Sequence, residues 1–132
     1  MNTFHLDILT PYKKYMSRDI VYLRVANEDG ILGILARHAP IITTIAVCDI
    51  MIREDNGKET LFACSGGLLS VKDNVATLMV NAIEAQDEID FARAERAKQR
   101  AMARLESKLE DLDVERAELA LKRATVRLAL KK

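Results

Sequence analysis

The sequence predicts a two-part α+β chain, with an N-terminal antiparallel β-sandwich over residues 1–86 and a C-terminal antiparallel two-helix hairpin over residues 87–132. Three observations predict it. Apolar residues alternate with period two in the first part and recur every three or four residues in the second. All 5 Gly and both Pro lie in the first part, none after Gly67. Charge divides the same way: residues 1–87 carry 8 Lys/Arg against 11 Asp/Glu, whereas residues 88–132 carry 12 against 9.

Phe4, Leu6 and Ile8 alternate with His5 and Asp7, which reads as a first strand with one buried face. Val21, Leu23 and Val25 form one face of another, with Tyr22 and Arg24 opposite. Cys48, Ile50 and Ile52 alternate with Asp49, Met51 and Arg53, and Val75, Thr77, Met79 and Asn81 continue the habit. Turn signals separate the runs at Glu28-Asp29-Gly30, Asp55-Asn56-Gly57 and Lys72-Asp73-Asn74. Asn56-Gly57 is the strongest hairpin signal, because a type I′ turn needs positive φ at both central residues. Short strands at close spacing point to a sandwich or barrel that buries one face and wets the other.

The first helix is predicted to start at Asp87 as N-cap, with acids in its first turn, and to run to about Leu105. Ala94, Ala97, Ala101 and Leu105 form its apolar stripe, and its small residues let another helix approach closely. Glu110-Asp111-Leu112-Asp113 reads as the break, with Asp113 capping a second helix striped by Ala117, Leu121, Ala124 and Leu128. Two such helices on a short link pair as an antiparallel hairpin. Neither is stable without a partner for its apolar face.

Composition excludes several classes. With 20 Lys/Arg and 20 Asp/Glu the chain is formally neutral, which argues against a generally basic nucleic-acid binder. No stretch approaches the roughly 18 apolar residues of a membrane span, and Met1–Asp7 lacks signal-peptide character. Two cysteines, Cys48 and Cys64, make neither a disulfide framework nor a metal site and read as small core residues. The expectation is a soluble cytoplasmic protein without a structural metal. No catalytic triad, phosphate loop or metal-spaced cluster is present, and His38 beside Pro40 reads as a turn or interface residue.

The arginines carry more information. Arg93 and Arg100, seven apart, share one helix face, as do Arg123 and Arg127, four apart. Closure of the hairpin could bring both pairs to one polyanion, for which guanidinium is suited by permanent charge and paired donors. Spacing alone leaves the alternative open that these are solvated helix charges of little energetic weight.

The order of motifs resembles the ε subunit of bacterial F-type ATP synthases over nearly the whole chain. Gly30-Ile31-Leu32-Gly33-Ile34-Leu35 followed by His38-Ala39-Pro40 is similar to that family's N-terminal signature. Ser65-Gly66-Gly67-Leu68-Leu69-Ser70-Val71 is similar to its second, and the run from Arg116 to Ala124 to its second C-terminal helix. The resemblance implies a non-catalytic rotor subunit, peripheral on the cytoplasmic face of the bacterial membrane. Its head would dock on the γ subunit and the c-ring, and its hairpin would act as a brake on hydrolysis by reaching the α/β catalytic subunits. Ile89-Asp90-Phe91-Ala92-Arg93-Ala94 matches the motif of ATP-binding members. By resemblance Glu84, Ile89 and Asp90 contact adenine, Arg93 lies near ribose and phosphate, and Arg100, Arg123 and Arg127 meet the phosphates of ATP, the one regulatory ligand implied. The resemblance implies no metal.

Two positions depart from the family pattern. Ile31 stands where the family usually has Glu on the surface facing the c-ring. Arg37 stands where Gly is usual before the His, in a turn whose positive φ suits Arg poorly. Two other readings fit the same residues: a rotor subunit whose hairpin inhibits without sensing ATP, and an unrelated sandwich module whose hairpin binds nucleic acid.

Overall fold

The computed structural model describes residues 2–107 and 113–132. Eight strands run in order as β1 (Phe4–Leu9), β2 (Lys14–Ile20), β3 (Tyr22–Asn27), β4 (Gly30–Leu35), β5 (Ile41–Arg53), β6 (Glu59–Lys72), β7 (Val75–Val80) and β8 (Ile83–Ala85). A 3-10 turn over Gln86–Glu88 leads to helices α1 (Phe91–Ser107) and α2 (Val114–Ala129).

The two long strands make the sandwich. The C-terminal end of β5 pairs with β3, and β4 lies beyond it. The C-terminal end of β6 pairs with β7, followed by β1 and β2. One continuous path, β2-β1-β7-β6-β5-β3-β4, is thereby shared between two layers, with β8 paired to the N-terminal part of β6. The ladder between β5 and β6 skips one step between Ile45↔Gly67 and Val47↔Ser65. Gly66 sits at that step with φ 96°, a conformation that costs glycine little. The predicted antiparallel sandwich holds except that β1 and β7 run parallel. They are far apart in sequence, so no tight hairpin forces them antiparallel.

Leu6, Ile8, Ile20, Leu23, Ile34, Ile50, Leu69 and Leu78 are completely buried between the layers. In β7 the buried face is Ala76, Leu78 and Val80, and Val75 and Met79 face outward. Cys48 and Cys64 are buried core thiols directly opposite each other in the β5–β6 register. Burial pushes the Cys64 thiol up to about 12, so it stays protonated and inert. Met51 belongs to the outer face yet is buried, on a strand against which α2 packs. Beside it, Ala63, Ile89 and Leu130 form a second apolar cluster with Leu61, Phe91 and Val126.

The turns differ from expectation in an instructive way. Gly57 has φ 86° but Asn56 does not share the positive region, so the β5–β6 loop is not type I′. Its longer form, closed by Glu54 N–H to Lys58 O at 2.9 Å, uses glycine only at its last turn. The two-residue turn with positive φ at both positions is Asp73-Asn74, at 52° and 62°. Asn tolerates this region, and its side chain finds work there. Asn74 Oδ1 accepts the Arg37 N–H at 2.8 Å, and its Nδ2 donates to the Thr3 carbonyl at 2.9 Å. Arg37 does adopt positive φ, 65°, and this contact is what holds it there. His38 sits in the same turn, its N–H on the Leu35 carbonyl at 3.2 Å.

The helices pair through their small residues. Ala94 and Ala101 of α1 and Ala117 and Ala124 of α2 are all buried, which lets the two axes approach closely. The Asp113 side chain accepts the Arg116 N–H at 3.0 Å and caps α2. Glu110, Asp111 and Leu112, the rest of the predicted break, lie outside the described residues. At the start of α1 the expectation is corrected. Asp90, not Asp87, is the cap, accepting the Arg93 N–H at 3.0 Å. Asp87 falls in the 3-10 turn, because the linker must first reach the platform where Ile89 is buried.

On the outer face of β1 and β2, His5 bonds Asp19 through Nδ1 at 2.9 Å and Asp7 and Ser17 through Nε2 at 3.1 and 2.9 Å. The Asp19 bond, reinforced by Asp7, holds the imidazole above its ordinary value of 6.5. A raised folded pKa stabilises the protonated native state, so the gain is full below 6.5 and is lost as pH rises through the folded value. Chemical denaturation midpoints are expected to fall as pH rises through and above 6.5, and His5→Gln is expected to flatten that slope. An unchanged slope in the variant would assign the titration elsewhere.

Candidate functional site

The linker and both helices enclose an open cleft of about 320 Å³, within the usual range for small-molecule sites. Its polar lining is Glu84 from β8, Asp90 at the cap of α1, Arg93 and Arg100 from α1, and Arg127 from α2, with Ala82, Ala94 and Ala97 completing it. Each side chain arrives for a local reason. Glu84 is the middle residue of β8, pinned to Ala63 of β6. Asp90 is fixed by capping α1. Arg93 and Arg100 follow on one face of that helix. The small alanines of the stripe, needed for helix pairing, also leave the space.

Arg127 Nε donates to Glu84 Oε1 at 2.5 Å, with both side chains about one-third exposed. Among the described residues no carboxylate pairs with Arg93 or Arg100. Three guanidiniums against two carboxylates, one of which is engaged in the cap and the other on Arg127, leave the cleft electropositive. Such a surface suits a polyanion of small-molecule size.

Two predicted residues stand beside the cleft. Arg123 faces a crevice between α2 and β6 lined by Ala63, Cys64, Ser65 and Arg127, and its Nε is buried without a partner. Ile89 is 8% exposed and belongs to the apolar cluster with Ala63 and Leu130, so its side chain does not line the cleft. Two contacts had no sequence signal. The Gln86 amide donates to the Leu130 carbonyl at 2.6 Å. The Tyr15 hydroxyl donates to Glu88 Oε1, which also accepts the Ala85 N–H at 2.9 Å. The Tyr15 bond is the main cause that holds the Glu88 carboxyl below its ordinary range. Both contacts join residues more than forty apart, which no local pattern encodes.

Residues 3–86 match the family model for the β-sandwich domain of the ATP synthase delta/epsilon chain, and residues 87–132 match the model for its long α-helix domain. The chain belongs to the ATP synthase delta/epsilon family. It is of the epsilon type, a non-catalytic stalk subunit. The ATP synthase epsilon chain of Exiguobacterium sp. is 39% identical over 132 residues, covering 99% of this chain and 97% of that one. That of Pelotomaculum thermopropionicum is 46% identical over 106 residues, 80% of this chain and 78% of that one. Among solved structures, a chain of the Euglena gracilis mitochondrial ATP synthase (OSCP, F1 and c-ring) superposes with TM-score 0.86 at 21% identity, covering 96% of this chain and 80% of that chain. One from the central stalk and c-ring of the Tetrahymena thermophila enzyme gives 0.64 at 20% identity, covering 96% of this chain and 91% of that chain. At that identity the structural likeness is one of fold. Membership of the epsilon family displaces the reading of an unrelated sandwich module. No described helix is long and apolar enough to cross a membrane.

Proposed function

We propose that this epsilon chain is an ATP-sensing brake of the rotor, whose cleft binds ATP only while the hairpin is closed. The observation that carries the reading is the convergence of Glu84, Asp90, Arg93, Arg100 and Arg127 from three elements on one cleft. ATP supplies the polyanion that the guanidiniums would hold, and Glu84 and Asp90 offer acceptors for an exocyclic amine. Arg123, with an unpartnered Nε at the adjoining crevice, is the reserve donor. Opening α2 removes Arg127 from Arg93 and Arg100, so the open state has no site. ATP therefore stabilises closure by RT ln(1 + [ATP]/Kd), about 2.7 kcal/mol at a hundredfold excess. That shifts a two-state balance roughly a hundredfold. When ATP is scarce the hairpin opens and its basic helices reach the α/β catalytic subunits, blocking hydrolysis. The head docks on the γ subunit and the c-ring at the cytoplasmic face of the bacterial membrane. There Ile31, 77% exposed on β4 at one end of the sheet, offers an apolar contact where the family usually has Glu.

A second reading has its own observation. The Glu84–Arg127 pair already satisfies Arg127 in the closed state without a ligand. In that case the hairpin inhibits but senses the catalytic subunits or the proton-motive force. Calorimetry of ATP into the full chain, with GTP as control, separates the two. Selective one-to-one binding is expected, and absence of binding would leave the sensor-free brake.

A further inference from the structure

We infer that Gln86, which lines no part of the cleft, is the positioning residue that sets Arg127 over it; this rests on the ATP reading above. The end of a helix leaves its last carbonyls without partners. In α2 the cap residue is Leu130, whose own N–H returns to the Arg127 carbonyl at 3.1 Å. Its carbonyl is taken by the Gln86 amide at 2.6 Å. Leu130 is buried against Ala63 and Ile89, and the bond to its carbonyl is partly buried.

The clip connects two points that matter to the site. Gln86 lies two residues beyond Glu84, and Leu130 lies three beyond Arg127. Glu84 and Gln86 therefore hold the last turn of α2 at two places, one by its guanidinium and one by its backbone. The guanidinium contact is the one a nucleotide would compete with. The backbone contact is independent of ligand, and it keeps Arg127 facing Arg93 and Arg100 when Glu84 lets go.

Gln86 can do this because its own segment is anchored to the sandwich on the other side. Ile83 and Ala85 pair with Cys64 and Phe62. Glu88 is held by the Tyr15 hydroxyl and the Ala85 N–H, and the Tyr15 ring packs edge-on against Phe62 at 6.2 Å. The linker up to Glu88 thus belongs mechanically to the sandwich, and Gln86 is its hand on α2.

The test measures ATP affinity by calorimetry on the full chain for wild type, Gln86→Ala and Gln86→Glu. The glutamate keeps the length of the side chain but has no amide to donate. In parallel, spin labels on the sandwich and on the exposed face of α2 report the distance distribution without nucleotide. Loss of one partly buried hydrogen bond predicts ATP binding weaker by about three- to tenfold in both variants. It also predicts a broader label distance, with the thermal unfolding of the sandwich unchanged. If wild type binds ATP and both variants match it, the inference is overturned. If wild type does not bind ATP, the ATP reading fails. The label distances then decide the clip alone: broadening in the variants keeps it, and an unchanged distance overturns it.

Discussion

Gly67→Ala is expected to be the most damaging small substitution in the sandwich, costing about 4 kcal/mol or more. A Cβ at this position would lie 2.0 Å from the Met79 carbonyl oxygen and 2.8 Å from the Val80 Cα. Those atoms belong to the backbone of β7, which cannot rotate aside like a side chain. The Gly67↔Val80 step would have to separate, at the place where β6 passes from one layer to the other. Overpacking of a side-chain core commonly costs about 1–3 kcal/mol, and rigid backbone raises that. For a chain of this size a loss of about 4 kcal/mol lowers Tm by roughly 10–20 °C. Gly33→Ala is the control. Its Cβ would meet the Tyr22 hydroxyl at 2.9 Å, the far end of a half-buried side chain that can swing away. A cost within about 1 kcal/mol is expected there. Equal thermal stability of the two variants would refute the account of the β6–β7 contact.

Arg127→Ala and Arg100→Ala carry the second large effect. Each removes a guanidinium from the cleft, on α2 and α1 respectively. Charge-assisted hydrogen bonds contribute about 1.5–3 kcal/mol each, so ATP affinity is expected to fall roughly tenfold to more than a hundredfold. Protein stability is expected to change by less than about 1 kcal/mol, since the Glu84–Arg127 pair is partly solvated. In F1 reconstituted with each variant, hydrolysis at intermediate ATP is expected to be more strongly inhibited than with wild type, because ATP no longer holds the hairpin closed. Weaker inhibition instead would favour a brake whose basic face pairs with the catalytic subunits and senses no nucleotide. ATP binding equal to wild type in both variants would remove the cleft as the site.

The departure at Arg37 shows how a local rule is met by a distant residue. Positive φ is unfavourable for an arginine, and a glycine would avoid the strain. Here Asn74, itself in a type I′ turn thirty-seven residues away, accepts the Arg37 N–H and ties it to Thr3. The same kind of trade moved the helix cap from Asp87 to Asp90. Both are acids before the same helix, and both satisfy the local signal for a start. Only burial of Ile89 against Ala63 and Leu130 decides which of them ends the linker.

Features that depend only on neighbours within a strand or a helical turn were readable from residue order. Alternation at Phe4, Leu6 and Ile8 fixed which strand face is buried, and alanine spacing fixed which helix faces meet, since side-chain direction follows from the backbone period. The arginine faces of α1 and α2 were legible for the same reason. Tertiary structure alone decided the rest. Met51 breaks the alternation on β5, a strand against which α2 packs. Glu84 reaches Arg127, and Gln86 reaches Leu130, across more than forty residues. Those contacts depend on where closure of the hairpin sets α2 on the sheet. That placement is a sum of many small apolar contacts, and no single residue announces it.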